Sequence, residues 1–320
     1  MIDRPFQLLQ FNEDLIRLTQ PLRLGIDHVH CYLLRSSDGG WTLVDAGLGL
    51  PAPEQRWSPV LAALDGPVER VFVTHFHPDH VGGSRDVGEL AGAPVLQGRI
   101  DFERCVAAWS DPARSRRAVR DHLRANGMDE VEIAAVSAHH HDVIGVVRYA
   151  PDPELLDAGD DLDGWEILHL PGHADGHLAL LREGVLIAGD ALLNGITPNV
   201  GLFPGSNPDP LADFMASLEF LARLAPRIAY AGHGEPIEDP AGRASEILDH
   251  HRERLTSTLA VVDGRARTGS QVAFDLFPDA LTPPLRRFAI AEALAHLEHL
   301  ALAGSLERHD GDGRTLYRAA

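Results

Sequence analysis

The chain contains no lysine, and only two of its 320 residues are cysteine. Its 28 basic side chains are therefore all arginine, and 47 acidic residues outnumber them to give a formal net charge of −19. Non-specific affinity for nucleic acid comes mainly from basic surfaces that contact phosphates, so this balance disfavours a general nucleic-acid-binding protein. The two cysteines, Cys31 and Cys105, offer no disulfide framework, and we expect both to be buried as small apolar side chains.

Long apolar runs are also missing. No run of about 18 apolar residues, the length that crosses a membrane as a helix, occurs in the chain. The first residues lack the basic-then-apolar order of a signal peptide, so we expect a cytoplasmic protein with no membrane segment. The length is sufficient to bury a sizeable core in one large domain or two.

Potential metal ligands are concentrated in THFHPDH, which follows an apolar strand and contains His75, His77, Asp79 and His80. Side chains two residues apart on a strand point the same way, so His75 and His77 can meet one ion. Pro78 ends the strand, and Asp79 and His80 can then turn towards a second ion. Imidazole and carboxylate donors suit zinc, which binds them at about 2.0–2.2 Å. The alternative is a histidine-rich surface turn.

Three ligand candidates further along the chain disfavour that alternative. They are His173 in LHLPGHADGH, Asp190 in VLIAGDALL and His233 in IAYAGHGEP. Each follows a predicted strand and a glycine, which lets the backbone turn sharply and project the ligand from the sheet edge. Asp190 is the natural bridge, because a carboxylate can bind one ion with each of its two oxygens.

Together these motifs resemble the metallo-β-lactamase-fold hydrolases of the HxHxDH type, over roughly residues 1–250. The resemblance implies two metal ions per chain, zinc in the first instance, with iron or manganese as alternatives. It assigns all seven ligand positions: the first ion to His75, His77 and His173, the second to Asp79, His80 and His233, and the bridge to Asp190.

The resemblance also implies an α/β fold, the αββα metallo-β-lactamase sandwich. Residues 1–250 form the catalytic domain, and the pattern between residues 101 and 150 predicts a helical cap inserted in it. Residues 251–320 resemble the small α+β winged helix appended to some members, notably the beta-lactamase-like protein 2 group. Apolar runs predict strands at 30–35, 41–45, 70–74, 94–97, 165–170, 178–181 and 185–189.

Three residues near the ligands invite supporting roles. Asp45 stands where relatives orient the ligand loop through hydrogen bonds. His30 stands where relatives often have asparagine, and a function and a hydrogen-bonded strand histidine are equally open for it. His177, four residues after His173, is expected to support the site without becoming an eighth ligand.

The regions around the site leave alternatives open. The arginines of the predicted cap form either a solvated helix face paired with acidic neighbours or a rim that receives an anionic group of the substrate. The apolar residues in the segment after Asp190 line the pocket, pack against the cap, or do both. The triplet His139–His141 is expected to be a surface turn. The arginines are Arg99, Arg104, Arg114, Arg116, Arg117, Arg120 and Arg124; the apolar residues are Ile196, Val200, Leu202 and Phe203.

A winged helix invites a DNA-binding interpretation, but acidic and basic residues nearly cancel from residue 255 onwards. We therefore favour a structural or dimerisation role for this section, with a homodimer as the candidate assembly. A third option is that it closes the pocket.

The resemblance implies a binuclear zinc-dependent hydrolase whose nucleophile is a metal-bridging hydroxide, since two ions can lower the pKa of a shared water towards about 7. Asp79 would be both a ligand and the acceptor of the nucleophile's proton. The expected partner is a small-molecule acyl substrate, a thioester or ester of the acyl-CoA-like or lactone kind. The alternatives are a nuclease acting on single strands and a mononuclear iron oxidoreductase, similar to the persulfide dioxygenases, that uses His75, His173 and Asp190.

Overall fold

The computed structural model describes the backbone of residues 6–22, 27–279 and 282–320. Within these ranges two sheets lie at the centre of the chain. The larger sheet has seven strands in sequence order, antiparallel from β1 to β4 and parallel from β4 to β7. These strands are β1 (Gln7–Asn12), β2 (Leu15–Pro21), β3 (His28–Arg35), β4 (Trp41–Val44), β5 (Val68–Val73), β6 (Val95–Gly98) and β7 (Glu154–Leu156).

The smaller sheet has five strands in the order β12-β11-β10-β9-β8. Only β11 and β12 pair in parallel, because a helical connection separates them in the chain. The strands are β8 (Asp161–Leu162), β9 (Trp165–His169), β10 (Leu178–Arg182), β11 (Val185–Gly189) and β12 (Ile228–Ala231). A separate hairpin near the C-terminus consists of β13 (Leu306–Gly311) and β14 (Arg314–Ala319).

The helices are distributed over the outer faces of the sheets, the cap and the C-terminal section. Those of the first half are α1 (Pro53–Ala63), α2 (Pro78–Val81), α3 (Ser84–Ala91), α4 (Arg99–Trp109), α5 (Pro112–Ala125) and α6 (Glu130–Ile144). Those of the second half are α7 (Pro210–Leu224), α8 (Pro240–Val262), α9 (Gly269–Leu276) and α10 (Pro283–Leu302).

Asp-Pro pairs begin three of these helices, α5, α7 and α8. In each pair the aspartate side chain accepts a backbone N–H of the first turn, and the proline occupies a position whose N–H would have no partner inside the helix. The sequence itself therefore determines where these helices begin.

The layers follow from which residues share a core. Leu34 and Phe72 of the larger sheet pack with Ile167 and Leu180 of the smaller one, so the two sheets face each other. The outer face of the larger sheet is covered by α1, α3 and α4, and that of the smaller sheet by α7 and α8. This is the predicted αββα sandwich, and the fold class is confirmed. Both cysteines are free and buried, as expected.

A third core joins the cap to the C-terminal section. Val119 and Ile133 of α5 and α6 pack with Leu294 of α10 and Tyr317 of β14.

The predicted division at residue 250 falls inside α8, which runs without interruption from Pro240 to Val262. The C-terminal elements follow in the order helix, helix, hairpin, and their assignment as a winged helix stays a prediction.

The prediction of a turn at His139–His141 is wrong, because their backbone lies within α6. The segment before them is rich in good helix formers, and the helix continues through the triplet. Their side chains lie outside the described residues. Among the helices that the structure describes, none is long and apolar enough to cross a bilayer.

Two buried histidines connect α8 to α10. The Nδ1 of His251 lies 3.2 Å from the Nε2 of His296, whose own Nδ1–H donates to the backbone carbonyl of Glu292 at 2.8 Å. His251 is therefore the donor in the pair. Burial lowers the pKa of His251 to about 3 and that of His296 to about 4, so the pair is neutral in the folded protein.

This pair is expected to make the protein less stable in acid. Unfolded histidine has a pKa of about 6.5, so the stabilisation from a neutral His251 is fully present above that pH and declines as the pH falls towards 3. His251→Phe removes one titrating group. Between pH 7 and 5 the free energy of unfolding of this variant should rise relative to the unaltered protein by about 2 kcal/mol, measured by urea titration. His309→Phe, at a half-exposed position, should show no such change; an equal change in both variants would contradict the prediction.

Candidate metal centre

All seven predicted ligands converge at the ends of strands from both sheets. His75, His77, Asp79 and His80 follow β5, His173 follows β9, Asp190 follows β11, and His233 follows β12. Their donor atoms form three overlapping groups in which all atoms lie within 4.8 Å of one another. The groups are His75, His77 and His173; His75, His80 and Asp190; and Asp79, His80 and His233.

The first group is made of imidazoles alone. The Nδ1 of His77 lies 3.0 Å from the Nε2 of His75 and 2.8 Å from the Nε2 of His173. Burial, together with the neighbouring imidazoles, holds the pKa of His75 and His77 well below the ordinary value. Neutral rings carry the lone pairs that bind a metal ion, so this group is in the protonation state that a metal site requires.

Asp190 faces both sides of the centre. Its Oδ2 lies 3.3 Å from the Nε2 of His233 and 3.6 Å from that of His173, and its Oδ1 lies 3.4 Å from the Nε2 of His80. On the far side, the Oδ2 of Asp79 lies 3.6 Å from the Nε2 of His233. The carboxylate of Asp190 thus stands between the two predicted ligand sets.

The donor set fits a bound cation. Neither the Nε2 of His80 nor the Oδ1 of Asp190 has a hydrogen-bond partner among the described residues, although both atoms are buried. A buried polar atom without a partner is costly, and a cation between such atoms would satisfy both. Although burial opposes it, Asp190 and Asp45 raise the pKa of His80 well above its usual range. Asp190 and Asp79 likewise raise the pKa of His233 to about 9, so the site attracts positive charge.

Hydrogen bonds on the outer side of the rings orient three of the imidazoles. The Nδ1–H of His80 donates to Asp45 at 2.8 Å, that of His173 to the backbone carbonyl of Asn199 at 2.9 Å, and that of His233 to the backbone carbonyl of His28 at 2.7 Å. With Nδ1 engaged as a donor, Nε2 is the nitrogen of each ring that faces the centre and is left for a metal ion.

Asp45 lies where its expected role requires. Its side chain is buried, and its backbone has the left-handed conformation, with φ of 61°. Its carboxylate accepts the backbone N–H and the hydroxyl of Thr74, each at 2.8 Å. It therefore holds the residue before His75 as well as the ring of His80. His177 accepts the backbone N–H of Asp190 at 3.1 Å, which is a supporting contact.

The contacts of His30 favour the hydrogen-bonded strand histidine. Its Nδ1 lies 3.0 Å from the hydroxyl of Thr19, and its Nε2 lies 3.0 Å from the carbonyl of Gly234. Burial lowers the pKa of this ring to about 3, so it is neutral.

Four contributors to the site have no signal in the sequence, because their contacts are long-range. Besides Asn199, these are His28 at the start of β3 and two residues of the cap helix α4. Asp101 accepts the backbone N–H of Phe76 at 3.0 Å, and Trp109 donates to the carbonyl of Phe76 at 2.8 Å. The cap therefore hydrogen-bonds both the backbone N–H and the backbone carbonyl of Phe76, which lies between His75 and His77.

Six of the seven cap arginines divide into two sets. Arg99, Arg104 and Arg124 form ion pairs with Asp157, Asp175 and Glu130 at 3.1, 2.7 and 2.6 Å, as a paired helix face would. On α5, Arg114, Arg117 and Arg120 are exposed. In the loop after Asp190 (residues 191–209), Val200 is fully buried while Ile196 is exposed.

Comparison with known proteins places this geometry in a family. Residues 24–233 match the model of the metallo-beta-lactamase superfamily, and residues 255–320 match that of the metallo-beta-lactamase-like C-terminal domain. The probable metallo-hydrolase YqjP of Bacillus subtilis is 28% identical, covering 95% of this chain and 97% of that protein. The beta-lactamase-like protein 2 homolog of Drosophila melanogaster is 24% identical, covering 75% of this chain and 70% of that protein.

The fold is also shared with a solved structure. A metallo-beta-lactamase family protein of Thermus thermophilus is 36% identical with a TM-score of 0.83, covering 97% of this chain and 100% of that one. The likeness therefore extends through the cap and the C-terminal section as well as the ligand-bearing sandwich. This chain belongs to the metallo-beta-lactamase superfamily and is a metallo-hydrolase with a cluster of histidine and aspartate metal ligands.

Proposed function

We propose that the protein is a binuclear zinc-dependent hydrolase acting on a small-molecule thioester or ester, of the acyl-CoA-like or lactone kind. The observation that carries this proposal is the position of Asp190, whose carboxylate lies 3.6 Å from His173 of the first predicted ligand set and 3.4 and 3.3 Å from His80 and His233 of the second. A carboxylate so placed suits two ions better than one.

Zinc is the favoured metal because the donors are imidazole nitrogens and carboxylate oxygens. Iron and manganese accept the same donors and are the alternatives. A mononuclear iron enzyme would need only His75, His173 and Asp190, whereas a further group of Asp79, His80 and His233 surrounds the other side of the carboxylate. The second group therefore favours the binuclear hydrolase.

When bound, the ions would supply Lewis acidity and lower the pKa of water at the centre. The surrounding residues keep the ligands ready for this chemistry. His28, Asp45 and Asn199 accept the Nδ1 protons, so the three Nε2 atoms are aimed at the centre, where bound cations would take the place of any Nε2 proton. Asp79 is less buried than Asp190, and we assign to its carboxylate the acceptance of the proton of the attacking water.

The charge of the protein favours a small-molecule substrate over a polymer. Arg114, Arg117 and Arg120 are available for an anionic group of the substrate, while the net charge of −19 disfavours a polymeric nucleic acid.

The test is a substrate panel for the zinc-loaded protein, with metal content measured on the same sample. Short acyl-CoAs and acyl lactones should be hydrolysed, the activity should disappear on chelation, and added zinc should restore it. Nitrocefin and a labelled single-stranded oligonucleotide complete the panel. A protein holding two zinc ions that turns over no thioester or ester would overturn the proposal, and cleavage of the oligonucleotide would favour a nuclease.

A further inference from the structure

The C-terminal helix α10 packs directly against the loop after Asp190. The backbone N–H of Leu202 donates to the carbonyl of Ala291 at 2.9 Å. At Gly201 the approach is so close that a Cβ would lie 2.9 Å from the Cβ of Ala291. The guanidinium of Arg287 lies 5.4 Å from the ring centre of Phe203. These contacts hold the loop in one position on the helix.

Asn199, at the start of this contact, makes two hydrogen bonds in opposite directions. Its side-chain Nδ2–H donates to the Oε2 of Glu292 on α10 at 3.0 Å. Its backbone carbonyl accepts the Nδ1–H of His173 at 2.9 Å. One residue thus joins the C-terminal section, through Glu292, to a predicted metal ligand, through His173.

We propose that Glu292 is a positioning residue for the metal centre, acting through Asn199 to orient His173. This inference rests on the metal centre of the proposed function and assigns part of that centre to the C-terminal domain. The carbonyl of Asn199 fixes both the tautomer and the rotation of the His173 ring, so any freedom of Asn199 becomes freedom of the ligand. Glu292 removes that freedom by holding the side chain of the same residue.

The environment of Glu292 makes its hydrogen bond effective. Glu292 is partly buried, and burial raises the pKa of its carboxyl to about 7, with Arg254 and Asn199 acting in the opposite direction. A hydrogen bond in a partly shielded site is less weakened by competing water than one at the surface. Glutamine at this position would keep an oxygen that accepts the Nδ2–H of Asn199 but would carry no negative charge. The Glu292→Gln variant therefore tests whether the hydrogen bond alone is sufficient.

The test measures zinc affinity of the full-length chain by competition with a chromophoric chelator. Glu292→Ala and Asn199→Ala should each weaken zinc binding by about 10- to 100-fold, the usual effect of losing a partner outside the ligands. Glu292→Gln should stay within about threefold of the unaltered protein. The double variant Glu292→Ala/Asn199→Ala should bind zinc no more weakly than the weaker single variant, because both substitutions break the same link.

Glu298→Ala is the matched control. Glu298 lies on the same helix and accepts the hydroxyl of Tyr317 at 2.5 Å, but its partners belong to the C-terminal hairpin. Its loss should lower the free energy of unfolding without changing zinc affinity. If Glu292→Ala fails to fold, the zinc affinities of Asn199→Ala and Glu292→Gln are compared instead. The first should be weakened and the second nearly unchanged.

The outcomes separate this inference from the metal centre itself. Unchanged zinc affinity in Glu292→Ala overturns the positioning role, as does an equal loss in Glu298→Ala or in Glu292→Gln. If the unaltered protein binds no zinc, iron or manganese, the metal centre fails, and the positioning role fails with it.

Discussion

Asp190→Asn should reduce the zinc content from two ions per chain to at most one and lower kcat/KM by at least about 1000-fold, or about 4 kcal/mol. The amide keeps the size of the side chain but loses the negative charge that faces three histidines. It also places an NH2 group where a second oxygen stood, and this group cannot bind a metal ion. The measurements are metal analysis of the purified variant and steady-state kinetics with the ester or thioester that the protein hydrolyses fastest.

Asp121→Asn is the control for this substitution. Asp121 is an exposed carboxylate paired with Arg124 at 2.9 Å, and its neutralisation changes the net charge equally. This control should keep two zinc ions and full activity. Retention of both ions and of activity in Asp190→Asn would show that the carboxylate does not bridge the centre.

Gly232→Ala should disrupt the metal centre, because the added methyl group would collide with two ligand side chains. A Cβ at this position would lie 2.4 Å from the Oδ1 of Asp190 and 2.6 Å from the Cε1 of His80, so both side chains must move. A displacement of about 1 Å at a reacting centre can cost about 100-fold in rate, and we expect a loss of at least that size. The backbone at Gly232 is not left-handed, so the fold should persist, with an overpacking cost of about 1–3 kcal/mol.

Gly311→Ala controls for the substitution itself, because a Cβ there would meet no described atom within 4 Å. Zinc content, activity and the thermal midpoint should be measured on both variants. Normal zinc content and activity in Gly232→Ala would contradict the close contact behind the centre.

The seven ligand candidates could be identified because their signals are local, and the family resemblance then implied that they converge. His75 and His77 lie two residues apart at a strand end, and Pro78 begins the short helix that carries Asp79 and His80. Glycines at 172, 189 and 232 each precede a ligand, and the first two have positive φ. Strand spacing and backbone freedom are properties of a few neighbouring residues, so a sequence displays them directly.

The orientation of those ligands could not be anticipated in the same way. The ring of His233 is fixed by the carbonyl of His28, 205 positions away, and that of His173 by Asn199, 26 positions away. A backbone carbonyl looks the same at every residue in a sequence, and only the folded chain decides which one faces a given ring. The same holds for the cap, whose Asp101 and Trp109 show no pattern that points to Phe76.

The sequence by itself determined the ligand candidates and the helix starts at the Asp-Pro pairs, which depend on residue type and short spacing. Through the resemblance that the ligand motifs carry, it also indicated the family and the αββα sandwich. Only the tertiary structure decided that His139–His141 continue a helix, that the cap and the C-terminal section share one core, and that Glu292 reaches Asn199. These features depend on packing between segments far apart in the chain, where many arrangements satisfy the same local pattern and burial selects one.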